Sequence, residues 1–297
     1  MRVSKHFLAG VTAFTIWGFF SFGLRPLQHY PSLDILFYRI FLCVALMLII
    51  SLGFRRKVLR ETISNFRQLS PNHKKNLILA VVSSAFLLTA NWFLFIYVMN
   101  HVSVKTASFA YLVCPILTTV LAYFILKEHL SRTQWFAVSL SVIGCVLLSF
   151  NHFLDIFYSL VVALTYALYL IIQKKITSVD KFLLLTIQVA IAAAAMLPFF
   201  PSLSGPIPQE VSFYGYIAVI AVLFTIIPLF LNLYALRGIK SSTVGMLLYI
   251  NPLIGFFLAA IYFGEEITVL QVGAYALIVV SIIIFNSGYF RKENPVA

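Results

Sequence analysis

Long apolar runs separated by short polar clusters set the pattern of this chain. Charge-free stretches cover residues 7–24, 76–104, 106–126, 133–154, 156–173, 182–209, 211–236, 241–264 and 267–290. A tenth, 35–54, is interrupted only by Arg39. A helix needs roughly 20 apolar residues to cross the hydrocarbon of a bilayer. The pattern predicts ten spanning helices, near 7–26, 34–54, 77–99, 104–126, 133–151, 155–174, 181–200, 213–236, 242–263 and 268–289. No segment alternates polar and apolar residues as a barrel strand must. The expected class is an all-α integral membrane protein.

Composition agrees. Of 297 residues, 62% are hydrophobic and 10% charged, against about 25% charged in a water-soluble domain. The net charge of +12 would suit nucleic acid, but its distribution argues against that partner. Basic residues gather at alternate helix ends: Arg2 and Lys5; the cluster from Arg55 to Lys75; Lys127 and Arg132; Lys174, Lys175 and Lys181; Arg237 and Lys240; Arg291 and Lys292. The other loops hold only Arg25 and Lys105. This positive-inside bias places both termini in the cytoplasm. Membrane lipids and a small-molecule substrate are the expected partners. Cys43, Cys114 and Cys145 fall in three different predicted helices, so neither a disulfide framework nor a metal spacing is visible. No cofactor is expected. The basic and then apolar N-terminus lacks a small-residue cleavage site and reads as an uncleaved first helix.

The ten helices divide into two fives that match each other. A shift of 137 residues aligns 77–150 with the second half without a gap. Thr106 meets Thr243, Pro115 meets Pro252, Glu128 meets Glu265 and Gln134 meets Gln271. Five is odd, so the second copy enters the membrane from the opposite side. Glu128 is followed by basic residues, in "LKEHLSR", whereas Glu265 is not, in "FGEEITV". The expected architecture is two inverted five-helix repeats, 1–151 and 152–297. Inverted repeats place a transporter's site near mid-membrane, where the halves rock about it.

Two loops stand apart. Residues 55–75 are basic, with Leu59, Ile63 and Phe66 at helical spacing, as in a helix lying on the cytoplasmic surface. Residues 201–212 are rich in proline and serine and read as an external linker.

Polar chemistry inside the spans is sparse. Pro115, Pro252 and Pro228 each lack an N–H, which frees the carbonyls of Tyr111, Leu248 and Phe224. A free carbonyl is tolerated where it faces protein or a wet cavity. Either these prolines only shape packing, or Tyr111, Pro115, Tyr249, Asn251 and Pro252 wall a cavity. Thr225, Pro228 and Asn232 share one helical face; Ser84 and Asn91 share another; Tyr166, Tyr169 and Gln173 form a third stripe. Singly, each residue serves equally well as interhelical glue; as a set they favour a substrate cavity. Arg39 is the charge deepest in a span. It either snorkels out to Asp34 or faces the cavity, where it would attract a carboxylate or a polar headgroup. The acidic residues and histidines all lie at helix ends or in loops. No metalloprotease, serine-hydrolase or phosphate-loop motif occurs. No enzymatic activity is expected. Small-residue spacings such as Ala163/Ala167 permit close helix packing and carry no dimer inference. Glu128 and Glu265 read as helix-end structure rather than proton carriers.

The segments "FTIWGFFSFGLRPL" (14–27), "FYRIFLCVAL" (37–46), "NWFLFIYVMNHVSVKTASFAYLVCPIL" (91–117), "LKEHLSRTQWFAVSLSVIG" (126–144), "VALTYALYLIIQKK" (162–175) and "TIIPLFLNLYALRGIKSSTVGMLLYINPL" (225–253) with "FGEE" resemble the EamA branch of the drug/metabolite transporters. The likeness is greatest to its RarD-like permeases. The resemblance implies two repeats, ten helices and a central cavity that opens alternately to each side. It also implies export or exchange of small metabolites or drugs, in the bacterial inner membrane. By position it places Trp17, Asn91, Trp92, Tyr111, Tyr166, Asn232 and Asn251 on cavity-lining helices. The chain departs from the family where a glycine commonly opens the second repeat: here it reads "NHFLDIF", with Asp155. The resulting expectation is a secondary transporter of small amphipathic solutes, amino acids or aromatic compounds among them. Two rivals stand beside it. A lipid scramblase would turn its polar stripes toward lipid, and a polytopic membrane enzyme would need a cluster of His, Asp or Glu.

Overall fold

The structure, a computed structural model, describes residues 4–102, 104–148, 153–262, 264 and 266–290. Within them the regular structure is entirely helical. The helices are α1 (Lys5–Gly18), α2 (Phe20–Leu24), α3 (Ser32–Gly53), α4 (Arg56–Gln68), α5 (Pro71–His101), α6 (Val104–Leu126) and α7 (Arg132–Leu148). They continue with α8 (Phe153–Lys175), α9 (Lys181–Met196), α10 (Phe200–Leu203), α11 (Val211–Ala221), α12 (Ile227–Gly238), α13 (Ser241–Leu247), α14 (Ile250–Ile261) and α15 (Val269–Phe290).

Eight helical stretches are long and apolar enough to cross a membrane, and a ninth counts if α1 and the turns after it form one span bent by 41°. Helix α7, at 17 residues, falls just short. The molecule is a multi-pass helical membrane protein. All ten predicted segments are helical, but four are interrupted, and the interruptions have local causes. The first breaks at Phe19 and tightens into a 3₁₀ turn over Arg25–Leu27, where Pro26 stands. The seventh ends in a 3₁₀ turn over Leu197–Phe199 and the short α10, around Pro198 and Pro201. In the eighth, a π turn over Val222–Ile226 precedes Pro228 and joins α11 to α12. The ninth breaks between α13 and α14, just before Pro252. Pro115 does not break α6, which runs through it.

Helix ends follow from side chains that satisfy orphan amides. Asp180 accepts from the amides of Phe182 and Leu183, each at 3.1 Å, at the start of α9. Ser131 and Gln134 form a capping box at the start of α7: the Ser131 amide donates to Gln134 Oε1 at 3.0 Å, and the Gln134 amide to Ser131 Oγ at 3.2 Å. Thr268 and Gln271 repeat it before α15, at 2.9 and 3.2 Å. Glu128 lies at the start of α13, where its carboxylate accepts from the amides of Ser241 (2.7 Å) and Ser242 (3.0 Å) and from the Ser242 hydroxyl. Its counterpart Glu265 lies outside the described residues, as does the side chain of Asp155.

The most extensive helix pairings cross from the first half of the chain to the second. Helix α6 packs on α8, α7 on α15, α1 on α12, α5 on α8 and α9, α6 on α13, and α3 on α9 and α11. The approach of α1 to α14 is close: a Cβ on Gly18 would lie 2.6 Å from Ile254 Cβ, so only glycine fits. One large core runs through the centre of this bundle, with a second between α6, α7, α13 and α15. Helix α4 buries none of its residues. It covers a cavity of about 440 Å³ lined by Leu48, Val82, Ile187 and Ile191 below and by Ile63 and Phe66 above.

Candidate functional site

Helix α8 is the spine of the predicted site. Tyr166, Tyr169 and Gln173 are all buried on it. Asn232, on α12, donates from Nδ2 to the Tyr166 hydroxyl at 2.9 Å. The Tyr166 and Tyr169 rings are 5.6 Å apart, and Trp17 of α1 meets Tyr166 edge-on at 6.4 Å. Four predicted residues on three helices therefore meet at one place.

The backbone beside them is irregular, and its freed groups find partners. Pro228 removes the donor for the Phe224 carbonyl, and the Trp17 indole Nε1 donates to that oxygen at 2.8 Å. The Thr225 hydroxyl donates to the Ile220 carbonyl at 3.0 Å, five residues back, which is the π-helical spacing. Cys43 of α3 donates to the Ala221 carbonyl at 3.5 Å. Three side chains thus converge on one distorted turn of the α11–α12 span. In the first half, where Pro115 frees the Tyr111 carbonyl, the Thr119 hydroxyl bonds the carbonyl of Pro115 itself at 2.9 Å. The Leu248 carbonyl, freed by Pro252, takes the Asn251 amide at 3.1 Å.

Other polar atoms in the same core have no partner among the described residues. They are the Tyr169 hydroxyl, Asn232 Oδ1 and both amide atoms of Gln173. All three residues are 0% exposed. Buried polar groups in native structures are nearly always hydrogen-bonded, to protein or to water. This cluster therefore marks a place able to take up water or a polar solute.

Arg39 lies nearby on α3, half-buried, with its guanidinium 5.3 Å from the centroid of the Trp92 ring on α5. Tyr111 of α6 is within electrostatic reach of both Arg39 and Tyr166, and its ring is 5.3 Å from that of Phe95. Arg39 does not pair with Asp34, whose carboxylate accepts from the Gly205 amide at 3.0 and 3.2 Å.

Not every predicted residue joins this group. Asn91 bonds α5 to α8, donating from Nδ2 to the Val162 carbonyl at 2.9 Å and to Thr165 Oγ1 at 3.1 Å. That is the geometry of interhelical glue. Tyr249 is fully buried in the second core, with Cys145 and Phe285. Asn251 and Pro252 are half-buried on α14, and Pro115 is buried in α6. Gln188, whose Nε2 donates to Ser84 Oγ at 2.7 Å, was not singled out by its spacing. Neither was the seat of Arg39 on Trp92. Both are contacts between helices distant in sequence, for which periodicity along one helix carries no signal.

Buried tyrosines, an asparagine and an arginine among spanning helices, beside a distorted turn, suit a protein that handles a solute within the membrane. Comparison with known proteins agrees. The EamA-like transporter family matches residues 4–150 and again 154–287. The chain belongs to the EamA-like transporter family, and it is a membrane transporter. It is 26% identical to the uncharacterized transporter YojE of Bacillus subtilis (strain 168), over 96% of this chain and 94% of that protein. It is 27% identical to the protein RarD of Escherichia coli (strain K12), over 94% and 92%. The protein RarD of Streptomyces exfoliatus is 27% identical over 97% and 90%. A crystal structure 16% identical in sequence superposes with a TM-score of 0.76, covering 98% of this chain and 100% of that one. That likeness concerns the fold.

Proposed function

We propose that the protein is a secondary transporter that carries small amphipathic metabolites or drugs by alternating access, with amino acids and aromatic compounds within its range. It has ten membrane helices in two inverted repeats, 1–151 and 152–297, and both tails lie in the cytoplasm of a bacterial inner membrane. One observation carries the reading: buried polar atoms of Tyr169, of Gln173 one turn further along α8, and of Asn232, which bonds Tyr166, have no partner among the described residues. Water or a solute that binds there satisfies them; packed apolar side chains would not.

The pairing of helices supports the two-repeat arrangement. Exchange of the halves turns α6 on α8 into α13–α14 on α1, α5 on α8 into α12 on α1, and α5 on α9 into α11 on α3. The pairs α7 with α15, α6 with α13 and α3 with α9 map onto themselves. Among the described residues, the two with left-handed backbone, Lys127 (φ 54°) and Gly264 (φ 65°), stand 137 apart, as do the two capping boxes. Positively charged loops support the orientation. The scramblase reading is weaker, because the polar stripes of α8 and α12 are buried rather than turned to lipid.

The test is transport in proteoliposomes, with and without a pH gradient, over a panel of amino acids, nucleosides and antibiotics. Asn232→Ala removes the donor to Tyr166. It is expected to lower uptake of whichever solute is carried by about tenfold, the value of one buried hydrogen bond to a poorly solvated group, with normal membrane insertion. Asn91→Ala is expected to impair transport through the α5–α8 contact. Undiminished transport by Asn232→Ala would remove the α8–α12 cluster from the pathway.

A further inference from the structure

Among the described residues Arg39 is a cation without a counter-ion. Its Nε is enclosed and has no hydrogen-bond partner. Among the described residues no carboxylate pairs with its guanidinium; the nearest in sequence, Asp34, is held by Gly205. Holding a charged side chain inside a membrane helix is costly, and stacking on the Trp92 ring offsets only part of that cost. The ring holds the guanidinium against α5. Tyr111 of α6 lies within electrostatic reach of Arg39, and its ring meets that of Phe95, one turn on from Trp92 along α5. A planar guanidinium presents its N–H groups as a fork suited to a bidentate grip on a carboxylate.

We propose that Arg39, seated on Trp92, binds the carboxylate of the transported solute, so that the substrates are small organic acids or zwitterions with an apolar body that lies against Tyr111 and Phe95. No second lysine or arginine stands on α3 between Ser32 and Gly53, or on α5 between Lys75 and His101, so these two helices offer a bound solute a single positive charge. The proposal rests on the transporter reading above and narrows it to a chemical class.

The test uses the purified full chain and two matched pairs of probes: benzoate with benzamide, and phenylacetate with phenylacetamide. Trp92 is one of three tryptophans, and its contact with Arg39 makes its fluorescence a reporter of binding. The carboxylates are expected to give a saturable change, and the amides to bind at least about tenfold more weakly, as the loss of a charge-assisted hydrogen bond requires. Arg39→Gln is expected to weaken the carboxylates by a similar factor and leave the amides unchanged. Arg39→Lys, which keeps the charge but not the fork, should fall between. Trp92→Phe should silence the signal while calorimetry still detects binding. Equal affinity for acid and amide, absence of saturable carboxylate binding, or wild-type carboxylate binding by Arg39→Gln would each overturn the proposal. Should Arg39→Gln fail to fold, the acid–amide comparison on the wild type and the Arg39→Lys value decide. Uptake into proteoliposomes separates the two levels. Carboxylates that bind through Arg39 but never cross would defeat the carrier reading and leave the site. Transport of the amides with Arg39→Gln unimpaired would keep the carrier and defeat the site.

Discussion

At the scale of single residues, the contact between Trp17 and Phe224 shows how the chain manages a proline in lipid. The sequence predicts that Pro228 leaves the Phe224 carbonyl without a donor, because proline has no N–H at any position in any fold. It does not tell which group answers, since the indole of Trp17 lies 207 residues away in the chain. Trp17→Phe keeps the aromatic body and removes the donor. It is expected to destabilise the protein by about 1–3 kcal/mol, the usual cost of a buried acceptor left unmet. The measurement is the thermal unfolding midpoint in detergent, with Trp135→Phe, a half-buried position in contact with Tyr123, as the control. Equal midpoints for the two variants would show the Phe224 oxygen to be satisfied by other means. The same logic explains the mixed fate of the predicted site. Tyr166, Tyr169, Asn232 and Trp17 converge, because stripes on adjacent helices met. Tyr249 and Asn91 went elsewhere, because neither proline spacing nor polarity tells a cavity wall from a packed seam.

At the scale of elements, helix ends are set locally: Asp180, and the Ser131–Gln134 and Thr268–Gln271 boxes, each engage amides within three residues. Hydropathy does not register such caps, and α5 starts at Pro71 rather than near the expected residue 77. The equivalent prolines Pro115 and Pro252 did not behave alike: α6 continues and the α13–α14 span breaks. That difference is set by what packs outside each helix, which a lone segment does not record. Asp180 has two tasks, capping α9 and pairing with Arg55 at 2.8 Å. Both partners of the ion pair are about a third exposed, at 30% and 29%, and such pairs contribute at most about 1 kcal/mol. The cap is worth about 1–2 kcal/mol. Asp180→Ala is therefore expected to lower stability more than Arg55→Gln, by a margin that survives high salt. A larger loss from Arg55→Gln in the same denaturation series would reverse the ranking.

At the scale of the molecule, composition and loop charges were enough to read a helical membrane protein, because hydropathy measures the one property a bilayer demands. The family match bears out the resemblance carried by "LSRTQW" and "INPL". The way the halves interlock was not legible, since it lies wholly in contacts between distant helices. The strongest pairings join the first half to the second, with α1 set among helices of the C-terminal half and α8 among those of the N-terminal half. A half made alone would expose these surfaces. Residues 1–151 and 152–297 expressed as separate chains are expected to be degraded singly and to co-purify when made together. Stable, monodisperse accumulation of either half by itself would count against an interlocked bundle.

The three thiols of the chain, on Cys43, Cys114 and Cys145, are all buried, and this has a practical consequence. Burial that shields them from solvent also shields them from maleimides, which attack the exposed thiolate. The native chain is thus its own silent background for labelling. A single new cysteine in either tail, in the Lys5 or Arg291 region, would speak alone when impermeant reagents are offered to one side of the membrane.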